Sequence, residues 1–162
     1  MQKADYTIYQ KVIERPEWKK AETVCLYFSL VREVDTKPLL AAALTMEKTV
    51  VFPRVEKNIL ALHRIRSVKD FTRGTFQILE PMKSIPVIDP ASVDLFIVPG
   101  VAFDPNGNRL GRGKGFYDRL LAGVIVPKIG LAYEMQMVAK VPHSSYDVPM
   151  TLVITEEGTY AS

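Results

Sequence analysis

The 162 residues are 48% apolar and 24% charged, the balance of an ordinary globule of about one domain. A net charge of +3 is too slight to argue for nucleic acid, and no apolar run approaches the ~20 residues of a membrane span. The single cysteine, Cys25, excludes an intramolecular disulfide and points to a reducing compartment. One domain over residues 1–162 is expected, large enough to bury roughly 70% of its unfolded surface. The N-terminus is polar and lacks the apolar stretch of a signal peptide, so a cytoplasmic monomer acting on small molecules is expected, with no nucleic-acid or membrane partner.

The predicted elements alternate. Residues 3–22 read as a helix burying Tyr6, Ile8, Tyr9, Val12 and Ile13, broken at Pro16 before Trp18. Residues 23–28 form a strand in which Cys25 packs as core, and 29–35 form the loop after it. Thr36 is placed to cap a helix from Lys37 to about Met46, with Pro38 in its first turn. Val50-Val51-Phe52 is a short strand stopped by Pro53, and 59–65 is another, carrying His63. Residues 67–73 read as a polar connection or short helix, and 82–92 as surface loop with Pro86 and Pro90. Leu95 to Val98 is a buried strand; 128–132 and 152–154 are two more, with a helical turn near 134–139. The alternation predicts an α/β fold with a mostly parallel sheet, whose ligands sit beyond the carboxyl ends of its strands. The loops after 23–28 and 95–98 are then neighbours. His63 and His143 stand apart and without metal-ligand company, and both read as structural or surface residues.

After Val98 comes the turn Asp104-Pro105-Asn106-Gly107 and then three alternate glycines, Gly111, Gly113 and Gly115, interleaved with Arg112 and Lys114. An amphipathic segment with Tyr117, Leu120 and Leu121 follows and stops near Gly123. Strand, glycine-rich basic loop and helix start make a phosphate cradle: glycines expose backbone N–H groups, the helix start adds partial positive charge, and Arg and Lys add full ones. An ordinary mobile connection has the same spacing, and both readings stay open on the residues alone. The dinucleotide pattern fails because Phe116 stands where its last glycine belongs. The P-loop pattern fails because Gly115 follows Lys114 where Ser or Thr is required. Arg109 taken alone reads equally as a solvated charge, Asp118 as a carboxylate favouring a helix start, and Glu33 as a solvated loop residue.

Pro99-Gly100, Phe103-Asp104 and the unbroken run from Asn108 to Arg119 resemble the signature of the 5-formyltetrahydrofolate cyclo-ligases, with Phe116 at a position that varies between Tyr and Phe. The resemblance implies a three-layer α/β/α domain similar to sugar-phosphate isomerase and CoA-transferase folds. It implies ATP-dependent cyclisation of 5-formyltetrahydrofolate to 5,10-methenyltetrahydrofolate, with release of ADP and phosphate. Carried over position by position, ATP contacts fall on Arg109, Leu110, Gly111, Arg112, Gly113, Lys114, Gly115, Phe116 and Tyr117. The folate falls on Phe28 and Glu33, and on Arg112, Gly113, Lys114, Gly115 and Phe116. Arg112 and Lys114 are the implied catalytic cations. Asp118 and Asp147 are the implied ligands of Mg²⁺. Family members also carry an N-terminal helix with a Lys and, four residues on, an Arg; the chain as given begins past it, and Lys3 and Lys11 stand at the wrong distance from the first strand to replace that Lys. Tyr146-Asp147 replaces a common His-Asp pair, and Thr151 stands where an acidic residue is common. A non-catalytic module binding nucleotide or folate is the alternative. An isomerase or transferase relative is a third reading, for which no carboxylate base or nucleophile motif is legible.

Overall fold

The computed structural model describes residues 2–74 and 77–161. Helices α1 (Gln2–Glu14) and α2 (Pro16–Lys20) are separated at Arg15, where Pro16 forbids a continuous helix and takes the first position of the next. Strand β1 (Thr23–Cys25) follows, then helix α3 (Lys37–Thr45), β2 (Thr49–Glu56) and β3 (Ile59–Ile65). Short strands β4 (Phe71–Arg73), β5 (Leu79–Pro81) and β6 (Val87–Ile88) precede β7 (Leu95–Val98). The rest comprises β8 (Ala102–Phe103), β9 (Arg109–Leu110), α4 (Phe116–Leu121), β10 (Lys128–Leu131), β11 (Leu152–Ile154) and β12 (Thr159–Ala161).

Eight strands form one sheet in the order β12-β11-β10-β7-β1-β2-β3-β6. The run from β11 to β2 is parallel; β12, β3 and β6 pair antiparallel at the edges. Side-chain alternation then sorts the core into two layers. Val24, Leu95, Ile97, Ile129 and Ile154 face Ile8, Val12, Trp18, Leu39 and Ala43 of the first three helices. Cys25, Phe96, Val98 and Val153 face Phe103 and Leu121 on the other side, where α4 packs. The expected three-layer α/β/α arrangement with a mostly parallel sheet is present.

Several local expectations are corrected. Tyr6 is 59% exposed, because it falls off the stripe defined by Ile8 and Val12. The first strand stops at Cys25, although the Leu26 amide still donates to Val51 O (2.9 Å). Thr36 caps nothing: its hydroxyl donates to Tyr27 O (2.5 Å), and Asp35 accepts the Lys37 amide (3.0 Å) in its place. Pro53 does not end β2. Parallel pairing with β1 reaches only Val51, so the missing N–H of Pro53 lies beyond that ladder and the strand runs on against β3. Residues 68–70 form a single 3₁₀ turn leading into β4, and 134–136 another. The presumed surface loop 82–92 contributes β6, whose Val87 pairs with His63.

Candidate active site

β1 and β7 are adjacent and parallel, with Val24 opposite Leu95. The segments that leave their carboxyl ends therefore rise side by side, and these two carry the sequence-predicted residues except Asp147, which lies between β10 and β11. Beyond β7 the chain folds into the β8–β9 hairpin, with Ala102 opposite Leu110 and Phe103 opposite Arg109. The predicted turn at 104–107 closes this hairpin, the Gly107 amide donating to Asp104 O (3.0 Å). Asp104 is 1% exposed, and its carboxylate accepts the amides of Asn106 and Asn108 (3.0 Å each), the Asn108 side chain (3.0 Å) and the Val141 amide (2.9 Å). Burial alone raises such a group; these hydrogen bonds outweigh it and hold Asp104 below the ordinary carboxylate value. Phe103 locks the hairpin onto the sheet over Gly130, where an added Cβ would stand 2.5 Å from the ring.

From this base the loop 111–115 turns outward. Gly113 and Gly115 adopt φ of +94° and +69°, the left-handed region open to glycine, and space around Gly113 is empty. Arg112, Gly113 and Lys114 are exposed at its crest, and α4 begins at Phe116. Arg119 of α4 stacks over Phe116 (5.3 Å) and donates twice to Asn58 O in the β2–β3 turn (3.1 and 2.7 Å). Helix α4 is thereby tethered to the β2–β3 hairpin.

Arg109 is not a solvated charge. Its side chain is 6% exposed, donates to Pro99 O (3.1 Å), lies 5.3 Å from the Tyr117 ring centre and 3.9 Å from Asp118 Oδ1. Burial lowers its pKa, and Asp118 opposes that shift. Burial likewise pushes the Tyr117 hydroxyl well above its usual value. Asp118 Oδ1 also accepts the Val148 amide (3.1 Å), which brings the loop carrying Asp147 against α4. Asp147 Oδ2 accepts the Ser144 amide (2.9 Å). Two carboxylates beside a cationic loop suit Mg²⁺, which usually takes one or two carboxylates and fills its remaining positions with phosphate oxygens and water. Among the described residues no cluster of three or more His, Cys, Asp or Glu forms a self-sufficient metal cage.

The β1 side supplies the counterpart. The Glu33 side chain is 8% exposed and accepts the Leu30 amide (2.8 Å), and Arg112 reaches its other oxygen across the gap at 3.5 Å. Phe28 leans edge-on against Phe71 (5.7 Å), which in turn meets Phe52 (4.9 Å). His63 is buried with Nδ1 2.7 Å from Ile85 O, and exposed His143 lies 3.2 Å from Val141 O; neither approaches a metal site. Cys25 is buried, and burial pushes its thiol pKa up.

Sequence reasoning singled out neither Asp104 as the support of the hairpin nor Asn58, Gln136, Tyr133 and Asp5 as braces. The Asp-Pro-Asn-Gly-Asn run carried an Asx-turn signal that points to Asp104. Nothing local points to the others, whose partners are distant in sequence. A concavity of about 430 Å³, lined by Pro16, Glu17, Lys20, Ala21, Asp94 and Pro127, opens at the amino ends of the strands, opposite these loops. Its charges are of mixed sign, with Glu17 held by Arg15 and Asp94 by the Glu22 and Thr23 amides, and it lies opposite the end of the sheet at which open α/β folds bind ligands.

The sequence model of the 5-formyltetrahydrofolate cyclo-ligase family matches residues 1–156. The 5-formyltetrahydrofolate cyclo-ligase of Haemophilus influenzae is 34% identical over 91% of this chain and 82% of its own length. The solved 5,10-methenyltetrahydrofolate synthetase of Aquifex aeolicus is 38% identical, with a TM-score of 0.85 over 97% of this chain and 80% of that one. That of Mycoplasma pneumoniae, at 24% identity and a TM-score of 0.77 over 96% of this chain and 86% of that one, shares the fold. With the signature in place on this architecture, the chain belongs to the 5-formyltetrahydrofolate cyclo-ligase family.

Proposed function

We propose that this chain catalyses the ATP-dependent closure of 5-formyltetrahydrofolate to 5,10-methenyltetrahydrofolate, releasing ADP and phosphate. The observation that carries the reading is the facing of two loops: a cationic glycine crest and a shielded carboxylate, bridged by Arg112 and Glu33 at 3.5 Å. Each suits one substrate. Glu33 can accept two N–H bonds from the aminopyrimidine edge of a pterin, and Phe28 offers an aromatic edge beside it. The amides from Gly111 to Gly115, with Arg112 and Lys114, suit a triphosphate.

The formyl oxygen attacks the γ-phosphorus of ATP, the bond to the bridging oxygen breaks, and ADP leaves. The phosphorylated carbon is then electrophilic. N10 attacks it, the C–O bond breaks, phosphate departs and N10 loses its proton. Arg112 and Lys114 align the phosphoryl group and offset the charge that spreads over its oxygens. Buried Arg109 holds the loop base against Pro99 O and Asp118. Asp118 and Asp147 are the residues that would hold Mg²⁺, which when bound neutralises phosphate charge. A cytoplasmic monomer of one domain is consistent with these small-molecule substrates, and no helix among the described residues is long and apolar enough to cross a membrane.

The test is to mix the purified chain with ATP, Mg²⁺ and 5-formyltetrahydrofolate and follow methenyl absorbance and ADP together. The two should appear in equal amounts. ATP binding without any methenyl signal would instead identify a binding module.

A further inference from the structure

Asp5 lies in the first turn of α1, yet its carboxylate does not serve its own helix. Oδ1 accepts the hydroxyl of Tyr133 (2.5 Å), 128 residues away, and the amide of Asp35 (3.3 Å), 30 residues away. Tyr133 follows β10, is 4% exposed, and its hydroxyl oxygen also lies 3.4 Å from Glu33 O. One hydroxyl has one proton. The charged acceptor at the shorter distance takes the larger share of it, and the Glu33 carbonyl accepts weakly from the same hydroxyl as the second arm of a three-centre bond. Burial together with the adjacent Asp5 raises the Tyr133 pKa, so the hydroxyl keeps its proton.

The loop being held is one that needs holding. Arg32 stands immediately before Glu33 at φ +78°, a conformation that a residue with a side chain keeps only where its surroundings over-determine it. The surroundings here are specific. Glu33 N donates to Leu30 O (3.0 Å), Tyr27 OH donates to Val34 O (3.0 Å), and Asp5 secures Asp35 and, through Tyr133, the back of Glu33. Tyr133 is itself braced from the nucleotide side: its amide donates to Gln136 Oε1 (2.8 Å), and Gln136 Nε2 donates to Gly100 O (2.9 Å).

We infer that Asp5 is a positioning residue for the folate carboxylate: through Tyr133 and Asp35 it fixes the Glu33 loop in the shape that receives the pterin's aminopyrimidine edge. The inference rests on the function proposed above. It assigns α1 a part in substrate selection and leaves ATP to the other loop.

Asp5→Ala, Asp5→Asn and Tyr133→Phe, each made in the full chain, test it by KM for both substrates, kcat, calorimetric affinity for 5-formyltetrahydrofolate alone, and melting temperature. Asp5→Ala and Tyr133→Phe should each weaken folate KM and folate affinity about tenfold, the factor that corresponds to about 1.4 kcal/mol, while ATP KM and kcat stay within about twofold. Asp5→Asn keeps an acceptor and should stay within about threefold of the parent. The double variant should fall no further than Asp5→Ala alone, because that single change already removes the acceptor of the Tyr133 hydroxyl together with the Asp35 tie. Unchanged folate KM and affinity in Asp5→Ala overturns the inference. So does a parallel loss for ATP and folate with a lowered melting temperature, which would make Asp5 a stability residue only. A parent chain that binds folate without turnover refutes the proposed function and still lets the affinities judge the tie. A parent that binds no folate overturns both.

Discussion

Replacing Asp104 with alanine should destabilise the chain by about 3 kcal/mol. The variant leaves the buried Val141 amide, whose residue is 1% exposed, without its acceptor, and a buried orphan donor costs about 1–3 kcal/mol. The Asn106 and Asn108 groups lie nearer the surface, where water can replace the carboxylate, so each loses only the net worth of its bond, about 0.5–1.5 kcal/mol or less. For a chain of this length the total lowers the melting temperature by about 6–12 °C, at about 2–4 °C per kcal/mol. Urea unfolding followed by circular dichroism at pH 7 measures it. The acid limb supplies a second signature. The pKa of Asp104 is depressed in the fold, so its contribution is present above the unfolded-state value near ~3.9 and is lost as pH falls through the lower folded value. The gap between parent and variant should therefore hold from neutral pH to about 5 and narrow below about 4. A loss under about 1 kcal/mol at neutral pH, or a gap that does not change with acid, would refute the reasoning.

Three further outcomes are expected. Lys114→Ala removes an exposed cation from the crest and should weaken ATP binding by about 1–3 kcal/mol in calorimetry with no change in melting temperature; unaltered affinity would take the loop away from the nucleotide. Gly130→Ala drives a methyl group to 2.5 Å from Phe103 and should cost about 1–3 kcal/mol in denaturant melts, since that ring is fully buried between sheet and hairpin. Cys25, buried and with its thiol pKa raised, should react with an aromatic disulfide reagent only as fast as the chain opens; rapid labelling of the native protein would contradict its placement.

What was legible in the sequence followed physical locality. Apolar runs such as Leu95–Val98 announced the buried parallel strands, and Pro16 announced the break between α1 and α2, because each acts through its own backbone. The glycine crest was legible for the same reason, its positive φ values being available to few other residues. Pro53 misled because a proline stops a strand only where a neighbour needs its N–H, and the length of β1 decides that. Arg109 was ambiguous because its inward turn depends on Pro99 O and the Tyr117 ring, which the β8–β9 hairpin must first bring within reach. Thr36 misled because its hydroxyl turns to donate to a tertiary acceptor, Tyr27 O, and away from the helix amides it would cap.

The clasp between Arg119 and Asn58 spans 61 residues, and the Arg112–Glu33 contact spans 79. Contacts of such high order close late, after the entropy of long intervening segments has been lost. The stretch from Asn108 to Arg119 is thus a poor autonomous unit: excised as a peptide, it would lack the hairpin that orients its helix and the carboxylate that meets its crest. Competence to grip a nucleotide should emerge in the same cooperative step that completes the sheet, so a nascent or partly unfolded chain would not sequester ATP.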